Sequence, residues 1–273
     1  MTMPKEDMNT VRVLRGLENS ESSVRLKAAL AMGTTPDQRF VGTLIERCAI
    51  EPEFSVREAL TWALTRHSAD VVVPELIAEL RSERTGTRMQ TQPEREARAQ
   101  AKARTQARSQ ALHTLSKIGD RRAWPAITRE LLTDADDEVA RSAWRAAVVL
   151  VPEGEEGELA EVLAAQFGRG ERETQLSLSR ALIALGKVSE PILRAAMTHP
   201  DPVVRQHAIA TDRLSRDPDA GFEFAIEEAK RIVALGPENQ GTQENHGNHG
   251  NHGNHGSQGS QGSQGSQEGS KKC

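Results

Sequence analysis

The sequence predicts an all-α protein: an α-solenoid of about six helix pairs, followed by a disordered C-terminal tail. Three observations lead there. Apolar residues recur at i, i+3, i+4 and i+7 in segment after segment, with no convincing strand-type alternation. Similar helical segments return along the chain, the first step being the 32 residues from Val24 to Val56. Only 3% of the residues are aromatic, so the core must come from Leu, Ala, Val and Ile, a composition that suits helices.

Taken in order, the repeating segments are 22–33, 54–64, 107–119, 137–150, 174–186 and 201–210. Each is preceded by a second amphipathic stretch. In "FVGTLIERC", Phe40, Val41, Leu44, Ile45 and Cys48 share one face; comparable stretches are 71–80, 122–131 and 158–167. A last helix is expected over 222–235, its stripe made by Phe222, Ala225, Ile226, Ala229, Ile232 and Val233. Its other face, with Glu227, Glu228, Lys230 and Arg231, suits the polar end of a stack. One helix pair cannot bury its apolar face alone, whereas stacked pairs can.

The breaks agree with this. Thr35-Pro36-Asp37 offers a cap followed by proline at the first helical position. Gly33, Gly119 and Gly186 stand where a left-handed C-cap is wanted. The stretch from Asp134 to Asp137, and Asp201-Pro202, read as tight interhelix turns.

The turn acid followed by Val-Arg and then small and apolar residues resembles HEAT repeats, in the variety shared with phycobilisome-lyase subunits. Val24-Arg25, Val56-Arg57 and Asp201-Pro202-Val203-Val204-Arg205 carry the resemblance, together with Pro74 and Pro125 in the first helices. It covers residues 8–236 and lapses at Val139-Ala140-Arg141 and over 174–186. The resemblance implies that Arg25, Arg57 and Arg205 pair with turn acids of neighbouring repeats, and that second helices line a concave face. HEAT-like deoxyhypusine hydroxylases hold iron with His-Glu dipeptides, and this sequence has none. HEAT-like alkylpurine DNA glycosylases use aromatic residues and a carboxylate on a basic concave face, a poor match to this composition.

Between the helices of the third pair lies an extra stretch, about 82–105. Residues 81–108 hold eight Arg or Lys against three Glu, a net +5 in a chain whose total is −4. From Pro93 this stretch reads as an exposed helix. Arg95, Arg98 and Lys102 share one face and offer contacts to a polyanion. The plainer alternative is a tolerated, soluble insertion.

No GxSxG, Walker loop or CxxC occurs. The expected function is therefore a non-catalytic scaffold that binds a protein partner on its second helices. The contact residues are Trp62, Arg66, His113, Arg141, Arg145, Arg180 and His207. Trp62 lies two positions off the Val56–Leu60–Leu64 stripe, which predicts partial exposure; packing between repeats is the competing role for Trp62 and Trp144. His67, His113, His199 and His207 have no partner at metal-ligand spacing, so structural or surface roles are expected. The alternatives are a nucleic-acid accessory protein acting through 81–108, and a subunit of the lyase or glycosylase type. No cofactor is called for. With no apolar run of 18 residues, no leader-like N-terminus, and two distant cysteines (Cys48 and Cys273), the expectation is a cytoplasmic monomer that spans no membrane.

The body is expected over 1–237 and the tail over 238–273. Four Asn-His-Gly triplets place His246, His249, His252 and His255 three residues apart on a glycine-rich chain. Several imidazoles can converge on one Ni²⁺, Zn²⁺ or Cu²⁺ ion, loosely because nothing orients the rings. Such binding weakens below about pH 6.5, where free histidine protonates.

Overall fold

The structure, a computed structural model, describes residues 5–82 and 93–235. All regular structure among them is helical: α1 Lys5–Leu17, α2 Ser22–Thr34, α3 Val41–Ile50, α4 Phe54–Arg66, α5 Ala69–Arg81, α6 Pro93–Ile118, α7 Arg129–Leu132, α8 Asp137–Leu150, α9 Glu156–Ala164, α10 Arg172–Ala184, α11 Glu190–Ala196, α12 Pro202–Arg216 and α13 Phe222–Leu235. No described helix is long and apolar enough to cross a membrane. His246, His249, His252, His255 and Cys273 lie outside the described residues, as does the side chain of Arg95.

Each helix in the first of these pairs lies against the next: α1 on α2, α3 on α4, α5 on α6, α7 on α8, α9 on α10 and α11 on α12. The second helices also pack on one another in order, α2 on α4, α4 on α6, α6 on α8, α8 on α10 and α10 on α12. One apolar cluster runs from Leu17 to Ala208. A second joins Ile209 and Leu214 of α12 to Phe222, Ala225, Ile226 and Ala229 of α13, using the stripe read from the sequence.

Two lateral polar pairs join residues 32 or 33 positions apart. Ser109 Oγ lies 2.9 Å from Ser142 Oγ, 33 residues away. Ser179 Oγ lies 2.7 Å from Thr211 Oγ1, 32 residues away. Equivalent positions of successive second helices therefore face each other, and buried hydroxyls there satisfy one another.

Asp136 caps α8 by accepting from the Glu138 and Val139 N–H groups, and Asp201 caps α12 by accepting from the Val203 N–H with Pro202 in the first turn. Gly119 and Gly186 have φ of 69° and 64°, the left-handed geometry expected of them. Four local expectations need correction. The stretch 122–131 is not one helix: a 3-10 turn, Arg121–Ala126, holds Pro125, and the four-residue α7 follows. The cap after Thr35 is Asp37, which accepts from the Arg39 N–H at the start of a 3-10 turn, so Pro36 stands outside the helix. Gly33 lies inside α2, not at a C-cap.

Gly33 is there for close approach. A Cβ at this position would sit 2.8 Å from Ala63 Cα and clash with the six-membered ring of Trp62. Gly33→Ala is therefore expected to destabilise by about 1–3 kcal/mol through overpacking, in place of the gain that Gly→Ala brings in an unencumbered helix. Urea unfolding of the two proteins checks this, and a stabilised variant would refute it.

The fourth correction concerns the arginines of the Val-Arg pairs. Each clamps the turn that precedes its own helix. Arg25 Nη1 donates to Asn19 O and Ser20 O at 2.9 and 2.7 Å. Arg57 Nη1 donates to Glu51 O and Pro52 O at 2.9 and 2.7 Å. Arg205 Nη1 donates to His199 O and Pro200 O at 2.6 and 2.7 Å. Among the described residues, only Arg25 also reaches an acid of the neighbouring turn, Glu51, with Nη2–Oε1 and Nε–Oε2 at 2.7 and 2.8 Å. The shared arginine position thus supplies donors to orphan turn carbonyls.

Candidate functional site

Of the seven residues expected to touch a partner, four come together. His113 of α6, Arg141 and Arg145 of α8, and Arg180 of α10 line one hollow of about 450 Å³. His113, Arg141 and Arg145 also line an adjoining hollow of about 340 Å³ that reaches Phe54 and Glu58 of α4. The two make a groove across α4, α6, α8 and α10. Helical periodicity explains the convergence: Arg141 and Arg145 are one turn apart on the side of α8 opposite its buried Ala143, Ala147 and Leu150.

The polar geometry is specific. Arg141 Nη2 donates to Glu173 Oε1 at 2.5 Å, and the arginine holds that carboxyl below its ordinary range. Arg141 Nε is buried and makes no hydrogen bond among the described residues. Arg145 Nη2 donates to Ser142 Oγ at 3.1 Å. His113 Nε2 lies 3.3 Å from Glu58 Oε1. Burial lowers the His113 pKa, against the opposing pull of Glu58 and with help from Arg145 and Lys117, so the imidazole is neutral at pH 7. Lys117 and Arg180 are exposed. Val148, the exposed Val149, Leu176 and Ala184 supply an apolar floor.

The other three contact residues stand elsewhere. Trp62 is 40% exposed, as its offset from the stripe predicts, and its ring lies over Gly33 of α2. Arg66 is exposed, but neither residue lines the groove. His207 is a correction: at 1% exposure it is inside the protein and cannot meet a partner. The Gly168 N–H donates to its Nδ1 at 3.0 Å, and its Nε2 lies 2.9 Å from Gln175 O. The proton therefore sits on Nε2. Phe167 and Phe222 meet the ring edge to face. Trp144 is likewise buried, at 0% exposure, with Nε1 donating to Leu132 O at 2.8 Å; it packs and anchors nothing outside.

His67 is a buried structural residue. It accepts at Nε2 from the Asp37 N–H at 3.2 Å, and its Nδ1 lies 2.8 Å from Ala63 O. Cys48 is buried, and burial pushes its thiol up to about 12, so it is not a nucleophile at neutral pH. Among the described residues no three His, Cys, Asp or Glu side chains gather as a metal site.

Of the basic insertion, Arg98 and Lys102 are exposed on α6. The helix is tied down soon after them: Thr105 Oγ1 donates to Asp136 Oδ2 at 3.1 Å, and Gln106 Nε2 donates to Cys48 O and Glu51 O at 3.1 and 2.9 Å. A third hollow holds Lys102 and Gln106 together with Arg57 and Glu138, residues that also line the α4 end of the groove.

Sequence reading missed Glu173, Lys117 and the apolar floor. Glu173 was within reach, since it lies 32 residues after Arg141, the same step that separates Val24 from Val56. Searching for charge complements 32 residues apart would have found it.

No protein-family profile matches the chain, and no curated protein matches it.

Proposed function

We propose that this protein is a non-catalytic HEAT-like α-solenoid that holds a protein partner in the groove crossing α4, α6, α8 and α10. The observation that carries the reading is the convergence of His113, Arg141, Arg145 and Arg180 around an apolar floor. Stacked second helices present such a groove as a rigid surface, so little ordering entropy is spent on binding. The exposed Val149, at 47%, is its apolar anchor. The histidine-rich tail acts as a loose chelator beside this role.

The test is affinity capture from the native cell extract by the full chain and by Val149→Asp. The variant is expected to keep its helical circular dichroism and melting temperature, because surface changes cost within about 0.5 kcal/mol. Proteins retained by the wild type and lost with Val149→Asp support the reading. Identical retention by both overturns it.

A further inference from the structure

The groove is not electrically uniform. Toward α4 the cations Arg57, Arg141 and Arg145 face the carboxylates Glu58, Glu138 and Glu173. Toward α10 the lining holds Lys117, Arg141, Arg145 and Arg180 against Glu173 alone. This excess stands in a chain with more acids than bases, 39 Asp and Glu to 35 Lys and Arg. It is therefore a local concentration of charge and not a sample of the surface.

The cations are also poorly neutralised. Glu173 is engaged by Arg141. Arg141 and Arg145 are like charges at i and i+4, an arrangement that disfavours the free helix. Lys117 and Arg180 are exposed and make no ion pair among the described residues. Arg141 Nε is buried without a hydrogen bond, so a donor is left over at the groove wall. An anion seated here would relieve the repulsion and accept from the free guanidinium and ammonium donors. Val148, Val149, Leu176 and Ala184 beside these cations call for aliphatic side chains from the same ligand. No Phe or Trp side chain lines this end of the groove among the described residues, and His113 is its one ring, so no platform for stacking successive nucleobases is offered.

We infer that the α6–α8–α10 end of the groove is a binding site for an acidic, aliphatic peptide segment, its carboxylates taken by Arg145, Arg180 and Lys117 and its apolar side chains by the floor at Val149. This rests on the proposed protein-binding role and names the chemistry of the partner. The graded lining also orients the ligand: its acidic residues lie toward α10, its neutral end toward α4.

The experiment uses the full chain and two fluorescent peptides of about twelve residues, one alternating Glu and Leu, the other with Gln for every Glu. Anisotropy is expected to show the Glu peptide binding at least about tenfold tighter, with the advantage shrinking as salt screens the charges. Arg180→Glu and Lys117→Glu, exposed positions that keep the fold, are each expected to weaken the Glu peptide at least about tenfold and leave the Gln peptide unchanged. Equal affinities for the two peptides overturn the inference while leaving a protein-binding groove in place, and that groove is judged separately by the Val149→Asp capture. Failure of the Glu peptide to bind at low salt, indifference to both charge reversals, or tighter binding of a short DNA duplex than of the Glu peptide overturns it as well.

Discussion

Replacing Glu51 by alanine is expected to destabilise the protein by about 3–5 kcal/mol, the usual loss when one partner of a buried ion pair is removed. Glu51 is 0% exposed and Arg25 is 5% exposed. The Glu51 carboxylate accepts from Arg25 Nε and Nη2, from Arg47 Nε and Nη2 at 2.9 and 2.7 Å, and from the Glu53 N–H at 3.0 Å. It therefore joins α2, α3 and the entry to α4. Without it, the Arg25 guanidinium stays buried with only its turn carbonyls for company. Burial alone would raise the Glu51 pKa, but the hydrogen bonds from Arg25, the Glu53 backbone and Arg47 bring it to about 2. A depressed carboxyl contributes stability above its unfolded value, near 4.5, and that contribution is lost as pH falls toward 2. Urea unfolding at pH 7 measures the first effect, and a loss under about 1 kcal/mol would show the pair to be dispensable. The double variant Arg25→Met, Glu51→Met is expected to recover much of the loss, because an apolar pair carries no desolvation cost.

Acid should act on the other end of the protein earlier, through His207. Burial lowers this imidazole to about 4, against the backbone acceptor at Gln175 and with the Arg172 charge helping. Its Nδ1 already accepts from the Gly168 N–H, so a second proton has no place without breaking that bond. A histidine kept neutral by folding contributes its stability above the unfolded pKa, near 6.5, and loses it as pH falls through the folded value. The contribution lost between pH 6.5 and 4 is on the order of 3 kcal/mol. Thermal melts across that window should show the decline, and His207→Asn should flatten it at the expense of stability at pH 7. A wild-type melting temperature that does not change from pH 6.5 to 4 would refute the assignment. The two groups thus separate by pH, His207 above 4 and Glu51 below 4.5.

The groove itself was half legible. Arg141, Arg145 and Arg180 are polar positions on periodic helices, and periodicity marks such positions as outward-facing. His207 shows the limit of that inference. It sits on a second helix like the others, yet α13 closes over it with Phe222, and only a neighbouring element could bury it. Trp62 and Trp144 part in the same way. Both are tryptophans on second helices, one 40% and the other 0% exposed. The offset from the apolar stripe foretold the first, while the second depends on Leu132 O lying within reach of its indole N–H.

What the sequence determined by itself is local and repetitive. Most of the helices, their apolar faces, the turns at Asp134 to Asp137 and Asp201-Pro202, and the glycine stops at 119 and 186 follow from residues within a few positions of one another, where spacing is a direct record of geometry. The tertiary structure alone decided which polar groups are inside. Glu51, His207 and Thr211 are buried because their partners arrive from 26 to 39 residues away, and the cost of burying a polar group is set by that partner and not by its own neighbours in the chain. It also decided where four cations meet one carboxylate, because a groove is made of several helices, and no single helix contains it.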